Sequence, residues 1–353
     1  MTTPEHHLQP PRPPMRGPLA SLAAGVYGSV IGRRNRRFDR GKGVVTFDRP
    51  VISVGNLSVG GTGKTPMVAY LVRLLRAQGC HPCIAMRGYG RPAGEGLESD
   101  EATIYRRQFP DLPIVAQPDR AAGLIALFGS EEGAQVDSIV LDDGFQHRRI
   151  ARQVDIVLVD ATRPPFRDRL LPAGWLREPL ESLRRAHAAV VTHAQAVTRT
   201  DAIDVETQLW PYLPKGVVAV CRHAWTGLRV GEEVVSTEWL RGKRLYAACA
   251  IGNPGPFLAS ARDAAGGLVG ATVLRDHAEF APEEVRALVQ SVRDHQADVL
   301  LVTEKDWSKL AAVPPGSWPC PVARPVLDLT FDRHEQELQA LVLSAVRLFK
   351  DED

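Results

Sequence analysis

Val51-Ile52-Ser53-Val54-Gly55-Asn56-Leu57-Ser58-Val59-Gly60-Gly61-Thr62-Gly63-Lys64-Thr65 decides the fold. It begins as a short apolar run. It leads into a segment with helical apolar spacing: Met67, Val68, Tyr70, Leu71, Leu74 and Leu75. Strand, glycine-rich turn, Lys-Thr and helix form the layout that cradles a nucleotide phosphate chain. Glycines let backbone N–H groups converge on phosphate oxygens, and the helix N-terminus adds the positive end of its dipole. On this reading Ser58 through Thr65 bind the phosphates of a nucleotide, with Lys64 on the β/γ-phosphates and Thr65 ligating Mg²⁺. Ser58 stands where the pattern G-x-x-x-x-G-K-[ST] has its first glycine. The competing reading is a glycine-rich turn before an ordinary helix, and the strand–turn–helix context weighs against it.

Downstream, Ile139-Val140-Leu141-Asp142-Asp143-Gly144 runs apolar residues into paired carboxylates. This fits the strand that faces a phosphate loop and orients Mg²⁺ or its waters through a carboxylate. Phe145-Gln146-His147-Arg148-Arg149 follows at once. A second strand, Cys83-Ile84-Ala85-Met86, ends in Arg87-Gly88-Tyr89-Gly90-Arg91, which places basic groups at the carboxyl edge of a parallel sheet, where ligands bind. Further apolar runs at 113–116, 155–160 and 188–192 alternate with helical segments at 119–128 and 180–185. The fold expected over residues 50–192 is therefore α/β: a doubly wound, mostly parallel P-loop domain. Gly94 to Glu101 reads as an acidic loop. Extended segments at 217–221 and 227–230 read as a connector, and a second α/β unit starts at Arg244 and ends in a helix over 333–349. Thr303-Glu304-Lys305-Asp306 differs from a guanine-reading motif by one position of its lysine, so guanine specificity is not expected.

The 353 residues suffice for two domains of ordinary size. A net charge of +2 gives no polyanion-binding signal, so no nucleic-acid partner is expected. Five cysteines are too few for a disulfide scaffold, and Cys80-His81-Pro82-Cys83 reads as a helix-to-strand turn rather than a redox pair. No stretch approaches the ~20 apolar residues of a membrane span, and the first residues lack the features of a secretory signal. Residues 1–17 are Pro-rich and expected to be a disordered tail. Leu19, Leu22, Val26, Val30 and Ile31 have near-helical spacing and precede Arg33-Arg34-Asn35-Arg36-Arg37. Two readings of this segment stand open: a membrane-interface helix with cations near anionic head groups, or a helix packed on its own domain with a solvated basic end.

Taken together, the phosphate loop, Arg87-Gly88-Tyr89, Asp142-Asp143-Gly144-Phe145-Gln146-His147-Arg148, Leu171-Pro172-Ala173-Gly174, Leu176-Arg177-Glu178-Pro179-Leu180, Ile251-Gly252-Asn253-Pro254, Asp276-His277 and Thr303-Glu304-Lys305-Asp306 resemble the tetraacyldisaccharide 4'-kinase (lipid A 4'-kinase) family. The likeness is collinear from about residue 18 to the C-terminal helix. It implies ATP- and Mg²⁺-dependent phosphorylation of the 4'-hydroxyl of a tetraacyl-disaccharide 1-phosphate, a lipid A precursor. It also implies a peripheral position on the cytoplasmic face of the bacterial inner membrane, with no obligate protein partner. The implied fold has a P-loop α/β/α domain and a smaller C-terminal α/β/α domain joined by a β-ribbon hinge. The boundaries expected are 1–17 for the tail, 18–37 for an interface helix, 38–215 for the kinase domain, 216–240 for the hinge and 241–353 for the second domain.

The resemblance also implies roles. Asp142 and Asp143 are the Mg²⁺-associated pair, and Glu178 lies near metal and nucleotide. Asp100 is the catalytic base, in Ser99-Asp100-Glu101-Ala102, where the family has Gly-Asp-Glu-Pro. His277, from the second domain, is its partner. Arg87, Arg149 and Arg177 suit phosphate oxygens of ATP or of the acceptor, although each is equally readable as a solvated arginine. Asn56, Gln146 and His147 are candidates for substrate contact, on the sugar or the nucleotide. A membrane-associated, nucleotide-switched P-loop ATPase without a lipid acceptor is the alternative of a different class; a small-molecule P-loop kinase or GTPase with no lipid is a third. Lys64→Ala should abolish phosphoryl transfer and leave the circular dichroism spectrum unchanged; retained transfer would remove the phosphate-loop reading.

Overall fold

Apolar runs of strand length alternate with amphipathic segments along most of the chain, and that alternation sets the architecture. The computed structural model describes residues 13–88, 100–276 and 278–351. In chain order the first elements are α1 (Pro18–Asp39), β1 (Val51–Asn56), α2 (Lys64–Ala77), β2 (Pro82–Met86), α3 (Asp100–Gln108), β3 (Ile114–Ala116), α4 (Arg120–Phe128) and β4 (Ser138–Asp142). Then come β5 (Val154–Asp160), β6 (Ala188–Thr192), α5 (Arg199–Leu209), β7 (Val217–Val230), β8 (Glu233–Val235), β9 (Leu245–Cys249) and α6 (Pro254–Ala265). The last are β10 (Gly270–Val273), α7 (Pro282–Asp294), β11 (Val299–Val302), α8 (Glu304–Leu310), β12 (Val322–Arg333) and α9 (Glu335–Asp351). The chain forms two compact units, Pro11–Arg222 with Leu329–Asp353, and His223–Asp328.

In the larger unit the strand order is β3-β2-β4-β1-β5-β6-β7, with every pairing parallel. Strands β1, β2, β4, β5 and β6 are buried along their whole length, which is why they read as continuous apolar runs rather than alternating ones. Successive residues face opposite layers. Ile52 and Val54 pack with Met67, Leu71 and Leu75 of α2, whereas Val51 packs with Ala121 and Leu124 of α4. The sheet is thus covered on both faces, as a doubly wound fold requires.

In the smaller unit the strand order is β10-β9-β11-β12, with these pairings between β10, β9, β11 and β12 parallel, and β8 is antiparallel to β7. Leu288 and Val292 of α7 cover one face, against Tyr246, Leu300 and Val302. Ala261 of α6 covers the other, against Leu245, Val299 and Leu301. This unit is also α/β/α.

Several elements depart from the expectations above. The basic cluster 33–37 is part of α1, which runs on to Asp39. Residues 217–230 form one strand, not two extended pieces. Asp100 begins a helix rather than closing a loop, because Ala102, Tyr105 and Phe109 recur at helical spacing and are buried. The strand at 322–333 was not anticipated, and α9 packs in the larger unit rather than closing the second. Its Leu338, Val342 and Val346 recur every four residues and join the core that contains Met67 and Leu71. Tyr70 of α2 donates to Glu335 at 2.9 Å and its ring meets Phe331.

The expected tail up to residue 12, the acidic loop through Ser99 with Tyr89 to Arg91, and His277 lie outside the described residues. Among the described residues no helix is long and apolar enough to cross a membrane. Cys80 and Cys83 are both buried, and burial pushes the Cys83 thiol up to about 12, which leaves it unreactive.

Candidate active site

Parallel pairing places Val54 opposite Asp142, so the loop after β1 and the acidic pair after β4 emerge at one edge of the sheet. The approach is close. A Cβ on Gly55 would lie 2.5 Å from Cβ of Phe145, so only glycine fits beneath the Asp-Gly-Phe turn. The loop itself turns at Gly60 and Gly63, both with positive φ. Gly63 is also the N-cap of α2 and no side chain caps that first turn, so its N–H groups are available to an anion.

Neighbours hold the loop from both ends. Asn56, fully buried, donates to the Thr62 hydroxyl at 3.0 Å, and Thr192 at the end of β6 donates to the Thr62 carbonyl at 3.0 Å. Ser58 forms an antiparallel bridge with Leu176, and the Val59 amide donates to the Trp175 carbonyl at 2.9 Å. The loop is therefore extended at Ser58, which explains why no glycine is needed at the start of the motif.

Lys64 lies 3.5 Å from Asp143, and one nitrogen of Arg177 donates to both Asp143 oxygens at 3.0 and 3.1 Å. Burial alone would raise the Asp143 carboxyl, but these two cations hold it below its ordinary value. Asp142, its neighbour, behaves oppositely. It is buried, and desolvation with the Asp143 charge behind it outweighs Lys64 and raises its carboxyl to about 6. One oxygen of Asp142 accepts from the Tyr105 hydroxyl at 3.0 Å; the other, Oδ1, is buried without a hydrogen-bond partner.

Glu178 is fully buried, and its Oε2 accepts from Asn35 at 2.7 Å and Arg185 at 3.0 Å. Gln146 donates to the Asn56 carbonyl at 2.9 Å, and its own carbonyl accepts from Arg34. His147 is pushed down to about 4 by burial and then by Arg120, Arg152 and Arg149, so it is neutral at physiological pH. Arg149 reaches Asp119 at 3.3 Å, and Arg87 is exposed after the carboxyl end of β2. Asp100 is the first residue of α3; Glu101 beside it lies close enough to push the Asp142 carboxyl upward.

The structure thus gathers Lys64, Thr65, Asp142, Asp143 and Arg177 around the start of α2. Asn56 is directed inward, bracing the loop instead of facing solvent. Sequence reasoning missed Tyr105, Asn35, Arg185 and Thr192. The helical spacing of Ala102, Tyr105 and Phe109 was the one available signal for Tyr105. Asn35 and Thr192 act across separations of 143 and 130 residues, whereas Arg185 reaches Glu178 from seven residues away. It also missed how α1 meets this site: Tyr27 donates to the Arg177 carbonyl at 2.9 Å, and Arg148 donates to the Asn35 carbonyl at 3.1 Å and to Asp39 at 2.7 Å.

The chain is similar to known proteins over most of its length. A family model described as Tetraacyldisaccharide-1-P 4'-kinase (LpxK) matches residues 18–347. A tetraacyldisaccharide 4'-kinase of Geobacter sulfurreducens is 38% identical over 317 residues, covering 84% of this chain and 85% of that protein. One from Pseudomonas putida is 34% identical over 307 residues, covering 83% and 84%. The solved structure of LpxK from Aquifex aeolicus in complex with ATP is similar at 27% identity and a TM-score of 0.68, covering 92% of this chain and 98% of that one.

The raised Asp142 carboxyl makes stability depend on pH. Its proton is held more tightly in the folded than in the unfolded chain. The stabilisation this supplies is complete below about pH 4, the unfolded value, and is lost as pH rises through about 6. Asp142→Asn should therefore stabilise the ligand-free protein at pH 7.5 by on the order of 2 kcal/mol. In urea unfolding that gain should shrink toward zero at pH 4; an equal gain at both pH values would exclude the buried charge as its cause.

Proposed function

Because the chain belongs to the family of tetraacyldisaccharide-1-P 4'-kinases, we propose that this site carries the γ-phosphoryl group of ATP to the 4'-hydroxyl of a tetraacyl-disaccharide 1-phosphate. The chain is an ATP-dependent kinase of lipid A biosynthesis, with an alcohol group as acceptor. The observation that carries the reading is the uncapped first turn of α2 with Lys64, Asp143 and Arg177 beside it.

Phosphoryl transfer asks the protein mainly for positioning and for neutralisation of oxygen charge. The amides of the α2 first turn and Lys64 take the phosphates. As Lys64 turns from Asp143 to a phosphate oxygen, Arg177 remains on that carboxylate and keeps it neutralised. The Thr65 hydroxyl and Asp142 would hold Mg²⁺. The fit is good: Oδ1 of Asp142 is buried without a partner, and the donors are oxygens, which suits an ion that takes one or two carboxylates and completes its shell with water and phosphate. When bound, Mg²⁺ supplies neutralisation of the phosphate oxygens. Asp100, on the first turn of α3, is the proposed base for the 4'-hydroxyl. Arg87, exposed at the sheet edge, is the proposed contact for the acceptor's 1-phosphate, and neutral His147 the proposed contact for a sugar hydroxyl.

The acceptor is a membrane lipid, and α1 offers a way to reach it. Leu19, Leu22, Val26 and Val30 form one stripe and are between 71% and 55% exposed, while Ala20, Ala24 and Ile31 face inward. Arg33, Arg36, Arg37, Arg40 and Lys42 line a cavity of about 540 Å³ near its C-terminal end. On this reading the apolar stripe enters the bilayer interface and the cations meet anionic head groups, so the protein sits peripherally on the cytoplasmic face of the inner membrane.

Incubation with ATP labelled in the γ-phosphate and tetraacyl-disaccharide 1-phosphate should yield labelled lipid. Hydrolysis of ATP without labelled lipid would instead favour the nucleotide-switched ATPase. Asp100→Ala should lower kcat by about 10²- to 10⁴-fold with little change in KM for the lipid; a change in KM alone would overturn its role as base. Replacing Leu19, Leu22, Val26 and Val30 together with serine should reduce co-sedimentation with anionic vesicles while ATP binding persists; undiminished sedimentation would remove the interface role of α1.

A further inference from the structure

We propose that Tyr105 is a positioning residue for Mg²⁺, orienting Asp142 through its hydroxyl group; the proposal rests on the kinase reading of the site. Tyr105 is fully buried in the core that holds Met67, Val68, Leu71 and Phe109. Phenylalanine would fill nearly the same space without the cost of burying a hydroxyl. The oxygen therefore needs a use, and Asp142 supplies it: the phenol donates to its Oδ2 at 3.0 Å.

Proton counting sets the directions. An ionised carboxylate only accepts, so Tyr105 must spend its single proton on Asp142. Oδ2 of Asp142 is thereby occupied by the phenol, which leaves Oδ1, buried and without a partner, as the free acceptor. One phenol thus fixes which carboxylate oxygen is presented to a metal ion. In many metal sites such a supporting hydrogen bond fixes the ligand's orientation and strengthens binding. Tyr105 lies on α3, five residues after Asp100, so the same bond also ties that helix to β4.

The test is Tyr105→Phe in the full chain, with Mn²⁺ as probe. Electron paramagnetic resonance would measure Mn²⁺ binding in the presence of a non-hydrolysable ATP analogue. Half-saturating Mn²⁺ should rise about ten-fold, and the Mg²⁺ concentration for half-maximal activity should rise in parallel. Binding of the analogue without metal should be unchanged, which a general loss of structure would not allow. Mn²⁺ binding equal to that of the wild type overturns the proposal, whatever happens to turnover. Should the phenylalanine variant not fold, 3-fluorotyrosine at position 105 keeps the shape and strengthens the phenol as a donor while weakening it as an acceptor. Half-saturating Mn²⁺ should then move at least about two-fold, and an unmoved value overturns the proposal. The metal readout needs no lipid acceptor, so it fails or succeeds independently of the transfer assay.

Discussion

The parallel pairing of β1 with β4 is the contact on which the site depends. Val54 lies opposite Asp142, and the two strand ends approach so closely that Gly55 must lack a side chain where Phe145 passes. With that spacing the start of α2 and the paired carboxylates meet at one edge of the sheet. Arg177 arrives by another route: its segment is bridged to the phosphate loop through Leu176 and Ser58 and hydrogen-bonded to Leu57. A shift of one residue in the β1–β4 register would turn Asp142 to the opposite layer.

Two adjacent carboxylates with the same chemistry end up in different electrostatic states. Asp143, at positive φ, turns toward Lys64 and Arg177 and stays ionised. Asp142 remains on the strand, meets a phenol and keeps one oxygen unoccupied. Placing like charges in contrasting surroundings is how a site separates a structural counter-ion from a ligand. Here the difference comes from a single backbone reversal between neighbouring residues.

Much of this was legible in the sequence because it is local. Glycines, Lys64-Thr65 and an apolar run into Asp142-Asp143 state their geometry within a few residues, and the buried parallel strands announce themselves as continuous apolar runs. The less legible parts are contacts between distant positions. Nothing near Glu178 says that Asn35 will reach it, and nothing in α9 says that Leu338 and Val342 will return to the core built by α2. Asn56, read as a substrate contact, is directed inward by Thr62, a partner six residues away whose placement depends on the folded loop. Asp100 was legible as a carboxylate but not as a helix start, since its neighbours on the helix declare themselves only through the spacing of Ala102 and Tyr105.

The bonds from Tyr27, Arg34 and Asn35 to the segments around Arg177, Gln146 and Glu178 have a practical consequence. The helix that carries the outward apolar stripe is also tied to the segments that form the candidate site. Truncating it to obtain a better-behaved protein for screening would remove those ties together with the exposed apolar stripe. A water-soluble version is better made by recolouring the stripe, exchanging Leu19, Leu22, Val26 and Val30 for polar residues and leaving the helix in its seat.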